Sequence, residues 1–198
     1  MQDDVTGGGA LDEIESADPV APRGAADGAA PGGSAAGRAR WGIFLGIAAT
    51  IIVVDQTSKA WLVANVSAGQ VMSVIGDLLR LIQSQNSGAL FGMFRDQAIL
   101  FALVSVAVIG LIVLYHGRAG RSLYLSIALG LLLGGAIGNM IDRLRFGYVI
   151  DWVDMGLGTV RFWTYNVADS AITIAILMLL AMALFPALAG QSRGEADG

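Results

Sequence analysis

The chain has 198 residues, 55% of them hydrophobic and only 14% charged, with a mean hydropathy of +0.66, which excludes an ordinary soluble domain and places it in the membrane class. The formal net charge of −4 describes a tail: residues 1–40 hold seven of the sixteen acids, and Glu is absent between Glu15 and Glu195. With no cysteine and His116 as the single histidine, thiol nucleophiles, disulfides, Ser/His triads and Cys/His metal cages are excluded. Chemistry must therefore come from Asp, Lys, Ser, Thr, Tyr or the backbone, and no metal, cofactor or nucleic acid is expected.

Residues 1–40 are rich in Gly, Ala, Asp and Pro and lack apolar periodicity, the composition of a disordered tail. Their MQDD start is not that of a secretory signal. Four apolar runs follow, at 41–64, 98–115, 122–141 and 167–185. A helix crossing the hydrocarbon core needs roughly 20 residues, so each run qualifies as a span. The expected fold is a membrane all-α bundle of four transmembrane helices, occupying 41–190, with a short tail at 191–198.

Gly130, Gly134 and Gly138 recur at four-residue spacing and put a smooth strip on the third helix, suited to close packing against a neighbour. An even number of crossings puts both termini and the HGRAGR turn (116–121) on one side and the two long connections, 65–97 and 142–166, on the other. Arg38, Arg40, Arg118, Arg121 and Arg193 on the first side face Arg80, Arg95, Arg143, Arg145 and Arg161 on the second, so charge counting gives no orientation beyond the weak pull of the basic turn towards the cytoplasm. Within 65–97, VMSVIGDLLRLIQSQ is compatible with a short hairpin, forming a small cap that contains short β-strands and lies against the membrane surface.

The polar residues of this apolar body are its informative ones. Asp55 and Lys59 lie four apart on the first helix, either as a self-neutralising pair or as a support that orients other polar groups. Asn86, Ser87 and Gly88 read as a turn before the second helix, or as an amide that could hold a peptide backbone. In GNMIDRLRFGYVIDWVD, Asn139 faces the bundle, Asp142 and Arg143 can lock locally, and Gly147 lets the chain bend back. Asp142, Arg145 and Asp154 read best as interfacial charges in water, whereas Asp151, flanked by Val149, Ile150, Trp152 and Val153, is the better candidate for burial. Asn166 and Asp169 have the spacing of an N-cap and its third helical residue.

Carboxylates in hydrocarbon point by default to a functional site. Two held close cannot both ionise freely, so one retains a proton and the pair can serve as base and acid at once. Asp151 and Asp169 sit at the mouths of the last two spans, on one side of the membrane. Competing readings are a small transporter using the acids as a proton path, a noncatalytic assembly factor docking through the glycine strip, and a Ser/Lys enzyme using Ser58 or Ser170 with Lys59.

The motifs DQTSK (55–59), NSGALFG (86–92), GGAIGNMIDRLRFGYVIDWVD (134–154) and NVADSA (166–171), in this order across four spans, closely resemble those of the bacterial lipoprotein signal peptidases, over about 41–188. The resemblance implies an inner-membrane aspartic endopeptidase that cuts prolipoproteins before a diacylglyceryl-modified cysteine, acting as a monomer among membrane lipid. By motif it assigns Asp151 and Asp169 as the catalytic pair. It places Asn86, Asn139, Arg143 and Asn166 around the substrate site and Asp55 with Lys59 as a supporting pair, and it leaves Asp142 in the motif without a catalytic role. It also implies that the pair faces the extracytoplasmic side, with both termini cytoplasmic. The long acidic N-terminal tail departs from the family's compact start and is expected to be dispensable.

Overall fold

The computed structural model describes residues 35–87, 98–119, 122–185 and 188. Residues 1–34 of the expected 1–40 tail, the expected tail at 191–198, and the 88–92 part of the second motif lie outside them. The elements run α1 (Ala35–Asn65), β1 (Val71–Ile75), β2 (Leu79–Asn86), α2 (Ala98–Ala119), α3 (Leu123–Phe146), β3 (Val149–Leu157), β4 (Val160–Arg161) and α4 (Val167–Leu184). All four helices are long and apolar enough to span a bilayer. The first begins at Ala35, upstream of the expected boundary at Trp41, because the Ala-rich lead-in continues the helix before its apolar run starts.

α3 is the central post: 61% of its most apolar window is buried inside the protein, against 17% or less in the other three. Its glycines explain how. A Cβ on Gly130 would lie 2.8 Å from the Phe44 carbonyl oxygen, on Gly134 2.7 Å from Ile51 Cβ, and on Gly138 2.8 Å from Asp55 Oδ2. The expected strip therefore seats α1. Gly135, one residue off the strip, does the same for α4, where a Cβ would lie 2.5 Å from the Ala168 carbonyl oxygen. Gly135→Ala should consequently cost about 1–3 kcal/mol through overpacking. Gly42→Ala, where a Cβ meets nothing within 4 Å, should leave stability unchanged or raise it. Thermal unfolding of both variants in one detergent checks the contrast.

Leu, Ile and Val on the outer faces of α2 and α4, such as Leu103, Leu111, Leu177 and Leu180, are exposed, as expected of surfaces that meet lipid tails. One buried cluster, Phe44, Ala48, Ile112, Leu125, Leu129 and Leu133, fills the half of the bundle that contains the α2–α3 turn. His116 closes that end, stacked on Phe44 at 4.1 Å and within 3.1 Å of Ser126 Oγ.

At the opposite end lies a four-stranded antiparallel sheet in the order β1-β2-β3-β4. The hairpin expected within 65–97 is present as β1–β2, turning at Gly76 with φ 50°. β3 and β4 were not expected, since 142–166 reads as a plain connection. β3 starts with three consecutive buried residues, Val149, Ile150 and Asp151, because it lies over the helix ends, and so it lacks the alternation that marks a half-exposed strand. Pairing of β2 with β3 brings the two long connections together on one side of the bundle. Leu62, Val66 and Ile150, with Trp152 and Leu81 against them, glue the sheet to α1.

Candidate active site

Two local structures aim Asp151 and Asp169 into the same region. α3 stops at Gly147, whose φ of 81° and N–H bond to the Arg143 carbonyl form a left-handed cap that turns the chain back as β3. This return carries Asp151 under the sheet, where it is 2% exposed. α4 opens with Asn166 as N-cap, whose Oδ1 accepts from the Asp169 amide at 2.9 Å while Asp169 Oδ2 accepts from the Asn166 amide at 3.3 Å. The expected capping arrangement is present, and it orients Asp169 without using up its carboxylate.

The two acids are joined by one side chain. Asn166 Nδ2 donates to Asp151 Oδ1 at 2.7 Å, so the residue that caps Asp169 also holds Asp151. Each acid has a second amide donor: Asn86 Nδ2 reaches Asp151 Oδ2 at 3.0 Å, and Asn139 Nδ2 reaches Asp169 Oδ1 at 2.7 Å. Sheet register explains the first, because Ser84 lies opposite Asp151 and Asn86, two residues on, shares its face. Burial first, then the negative charge of Asp169, push the Asp151 carboxyl up to about 7, against the pull of the Asn86 and Asn166 hydrogen bonds and the Lys59 charge.

Of the other expected site residues, Arg143 donates to the Asn139 carbonyl at 3.2 Å and lies over the Phe101 ring at 5.5 Å. Among the described residues it forms no direct ion pair, but Asp169, Asp151 and Asp142 are the acids whose field it feels. It does not lock to Asp142 as expected. Asp142 instead pairs with Lys59 at 2.8 Å, and Lys59 pairs with Asp55 at 2.7 Å and reaches Asn139 Oδ1 at 3.3 Å. All three charged side chains are at most 3% exposed.

Two expected interfacial charges are thus corrected: Asp142 and Asp154 are both buried, and of the three only Arg145 stays in water. Asp154 accepts from Arg161 Nε at 2.6 Å and from Arg80 Nη2 at 2.7 Å, tying β2, β3 and β4 together. Burial alone would raise its pKa, but the bonds and charges of Arg161 and Arg80 outweigh it and hold the carboxyl below its ordinary value. Sequence reasoning had no view of these partners because both arginines come from other strands. Gln56 was also missed: its amide donates to Asp142 Oδ1 at 2.9 Å and to the Gly138 carbonyl at 3.2 Å. The available signal was its place beside Asp55 in DQTSK.

The Ser/Lys alternative has no geometry behind it. Ser58 and Ser170 donate to the carbonyls of Asp55 and Asn166, at 2.8 and 2.9 Å, while the Lys59 ammonium is held by Asp55, Asp142 and Asn139.

Known proteins converge on the same reading. The family model described as Signal peptidase (SPase) II matches residues 47–185. The lipoprotein signal peptidase of Geobacillus kaustophilus is 38% identical over 140 residues, 70% of this chain and 91% of that one. That of Streptococcus agalactiae is 37% identical over 135 residues, covering 68% and 86%. Among solved structures, a bacterial membrane enzyme at 2.3 Å resolution superposes with a TM-score of 0.70 at 26% identity, covering 79% of this chain and 95% of the other. A second, at 1.9 Å, gives 0.67 at 28%, covering 73% and 93%. The overall fold is thus shared with solved bacterial membrane enzymes, and the chain belongs to the type II signal peptidase family, aspartic-type endopeptidases that span the bacterial inner membrane several times.

Proposed function

We propose that Asp151 and Asp169 form a catalytic dyad that removes signal peptides from diacylglyceryl-modified prolipoproteins, cutting the peptide bond before the modified cysteine. The observation that carries this reading is the single Asn166 side chain engaging both residues, Asp151 through its carboxylate and Asp169 through its amide, at one end of a membrane bundle. The ionised carboxylate takes a proton from water as the water attacks the scissile carbonyl. The protonated partner hydrogen-bonds to the carbonyl oxygen and helps protonate the leaving amine. Asn86, with its amide at the rim, holds Asp151 and lies where the substrate backbone arrives. Arg143 supplies positive charge against the anion that develops.

Both termini and the α2–α3 turn face the cytoplasm in this proposal, and the sheet and dyad face outward, where a translocated precursor presents its lipid-modified cysteine. The acyl chains remain in the outer leaflet, beside the site, and the precursor need not leave the bilayer to be cut.

Asp151 is the half of the pair pushed up to about 7, so its proton is present below that pH and lost above it. Turnover should therefore fall as pH rises through about 7. Asn86→Ala removes a donor that favours the carboxylate form, so the residual activity should keep its alkaline limb but move it to higher pH. Initial rates on a purified diacylglyceryl-modified precursor across pH 5–9 measure both; activity that stays level to pH 9 would contradict the protonated role of Asp151.

A further inference from the structure

We propose that Lys59 and Gln56 bind Asp55 and Asp142 into a buried yoke that sets the spacing of Asp151 and Asp169 through the backbone. This inference rests on the dyad reading above and assigns the yoke a positioning role. Its two arms are alike. Asp142 Oδ2 accepts from the amide of Ile150, the residue before Asp151, at 3.1 Å. Asp55 Oδ1 accepts from the amide of Ala168, the residue before Asp169, at 3.0 Å. The residue immediately before each candidate catalytic acid is thus held through its amide by a buried carboxylate.

The crosspiece joins the arms. Lys59 Nζ lies 2.8 Å from Asp142 Oδ2 and 2.7 Å from Asp55 Oδ2, so one ammonium spans both carboxylates. Gln56 Nε2 repeats the bridge, 2.9 Å from Asp142 Oδ1 and 3.2 Å from Asp55 Oδ2. The parts come from four elements that meet at the site: α1 supplies Asp55, Gln56 and Lys59, α3 supplies Asp142, β3 carries Ile150 and α4 carries Ala168. With Asp55 at 0% and Asp142 at 1% exposure, water does not compete for these bonds. The Gly138 backbone permits the approach, since a Cβ there would stand 2.8 Å from Asp55 Oδ2.

A buried ion cluster that only stabilised the fold would have no reason to end on the amides of the two residues that precede the two acids. One that fixes a distance does. An ångström of drift between base and acid costs on the order of 10²-fold in rate.

The test is a set of purified variants, Asp55→Asn, Asp142→Asn, their double and Gln56→Met, assayed on a synthetic peptide with a diacylglyceryl-modified cysteine, with thermal unfolding followed in the same detergent. Each Asp→Asn change should lower kcat by roughly 10²-fold, with KM unchanged and the folded fraction maintained. The double variant should be no slower than the slower single, because either cut disables the same device. Gln56→Met, which alters no charge, should lower kcat in the same sense. Losses that multiply in the double, that follow the folded fraction, or that appear in KM alone overturn the yoke. If the Asp→Asn variants do not fold, Gln56→Met decides, and an unchanged kcat there overturns it. Asp151→Asn and Asp169→Asn run alongside: full turnover in either removes the dyad, whereas inactive dyad variants beside fully active Asp55→Asn and Asp142→Asn remove only the yoke.

Discussion

Asp151→Asn and Asp169→Asn should each lower kcat by about 10²–10⁴-fold while leaving precursor affinity close to wild type. Asn preserves the shape of either side chain and keeps one acceptor oxygen, so one of the two amide bonds made to each acid survives and the site does not collapse. What is lost is the ability to exchange a proton. Asp151→Asn removes a group whose charged form burial disfavours, so the variant should melt no lower than wild type. Asp169→Asn weakens only a 3.3 Å half of the α4 capping box, a change of about 1 kcal/mol or less. Single-turnover cleavage and precursor binding, measured on the same preparations, separate chemistry from folding. Normal turnover in either single variant contradicts the assignment.

Lys59→Met has the largest expected effect on stability. Its ammonium stands between two carboxylates, Asp55 and Asp142, in a region without water access. Removing it leaves like charges side by side and uncompensated, which costs about 3–5 kcal/mol. Adding Asp55→Asn and Asp142→Asn to Lys59→Met removes the stranded charges and should recover most of that loss, although not the activity. The half-exposed partner Asp77 gives the contrast: it pairs with Arg80 at 3.1 Å, yet Asp77→Ala should cost about 1 kcal/mol or less. Thermal unfolding in detergent measures all three, and a Lys59→Met protein that melts with wild type contradicts the account of the buried cluster.

How far the sequence reaches into this site can be followed residue by residue. Four spans were legible because lipid demands about 20 apolar residues each, and the β1–β2 hairpin because Gly76 and Asp77 interrupt an alternating stretch. Gly130, Gly134 and Gly138 announced a close helix contact by spacing alone, though not that Gly135 would serve the other neighbour. Asp151 and Asp169 emerged because buried acids are rare and the motif order is specific. Asp142 and Asp154 were misjudged for a single reason. Their partners, Lys59 in one case and Arg80 with Arg161 in the other, are remote in sequence or on another strand, and a charge whose partner is out of view looks like a charge in water. β3 was hidden for the opposite reason, since burial on both faces erased its alternation. The Asn166 bridge was half visible: its capping role follows from spacing, but its grip on Asp151 depends on how the Gly147 turn folds the chain back.

The most direct measurement of the central claim is mass spectrometry of the products formed when the purified 198-residue chain, reconstituted in lipid vesicles, meets a diacylglyceryl-modified prolipoprotein. The same chain carrying Asp151→Asn and Asp169→Asn together serves as reference. The account predicts a single cut immediately before the modified cysteine by the wild-type protein and none by the double variant. Cleavage at another bond, or equal cleavage by the double variant, would contradict it.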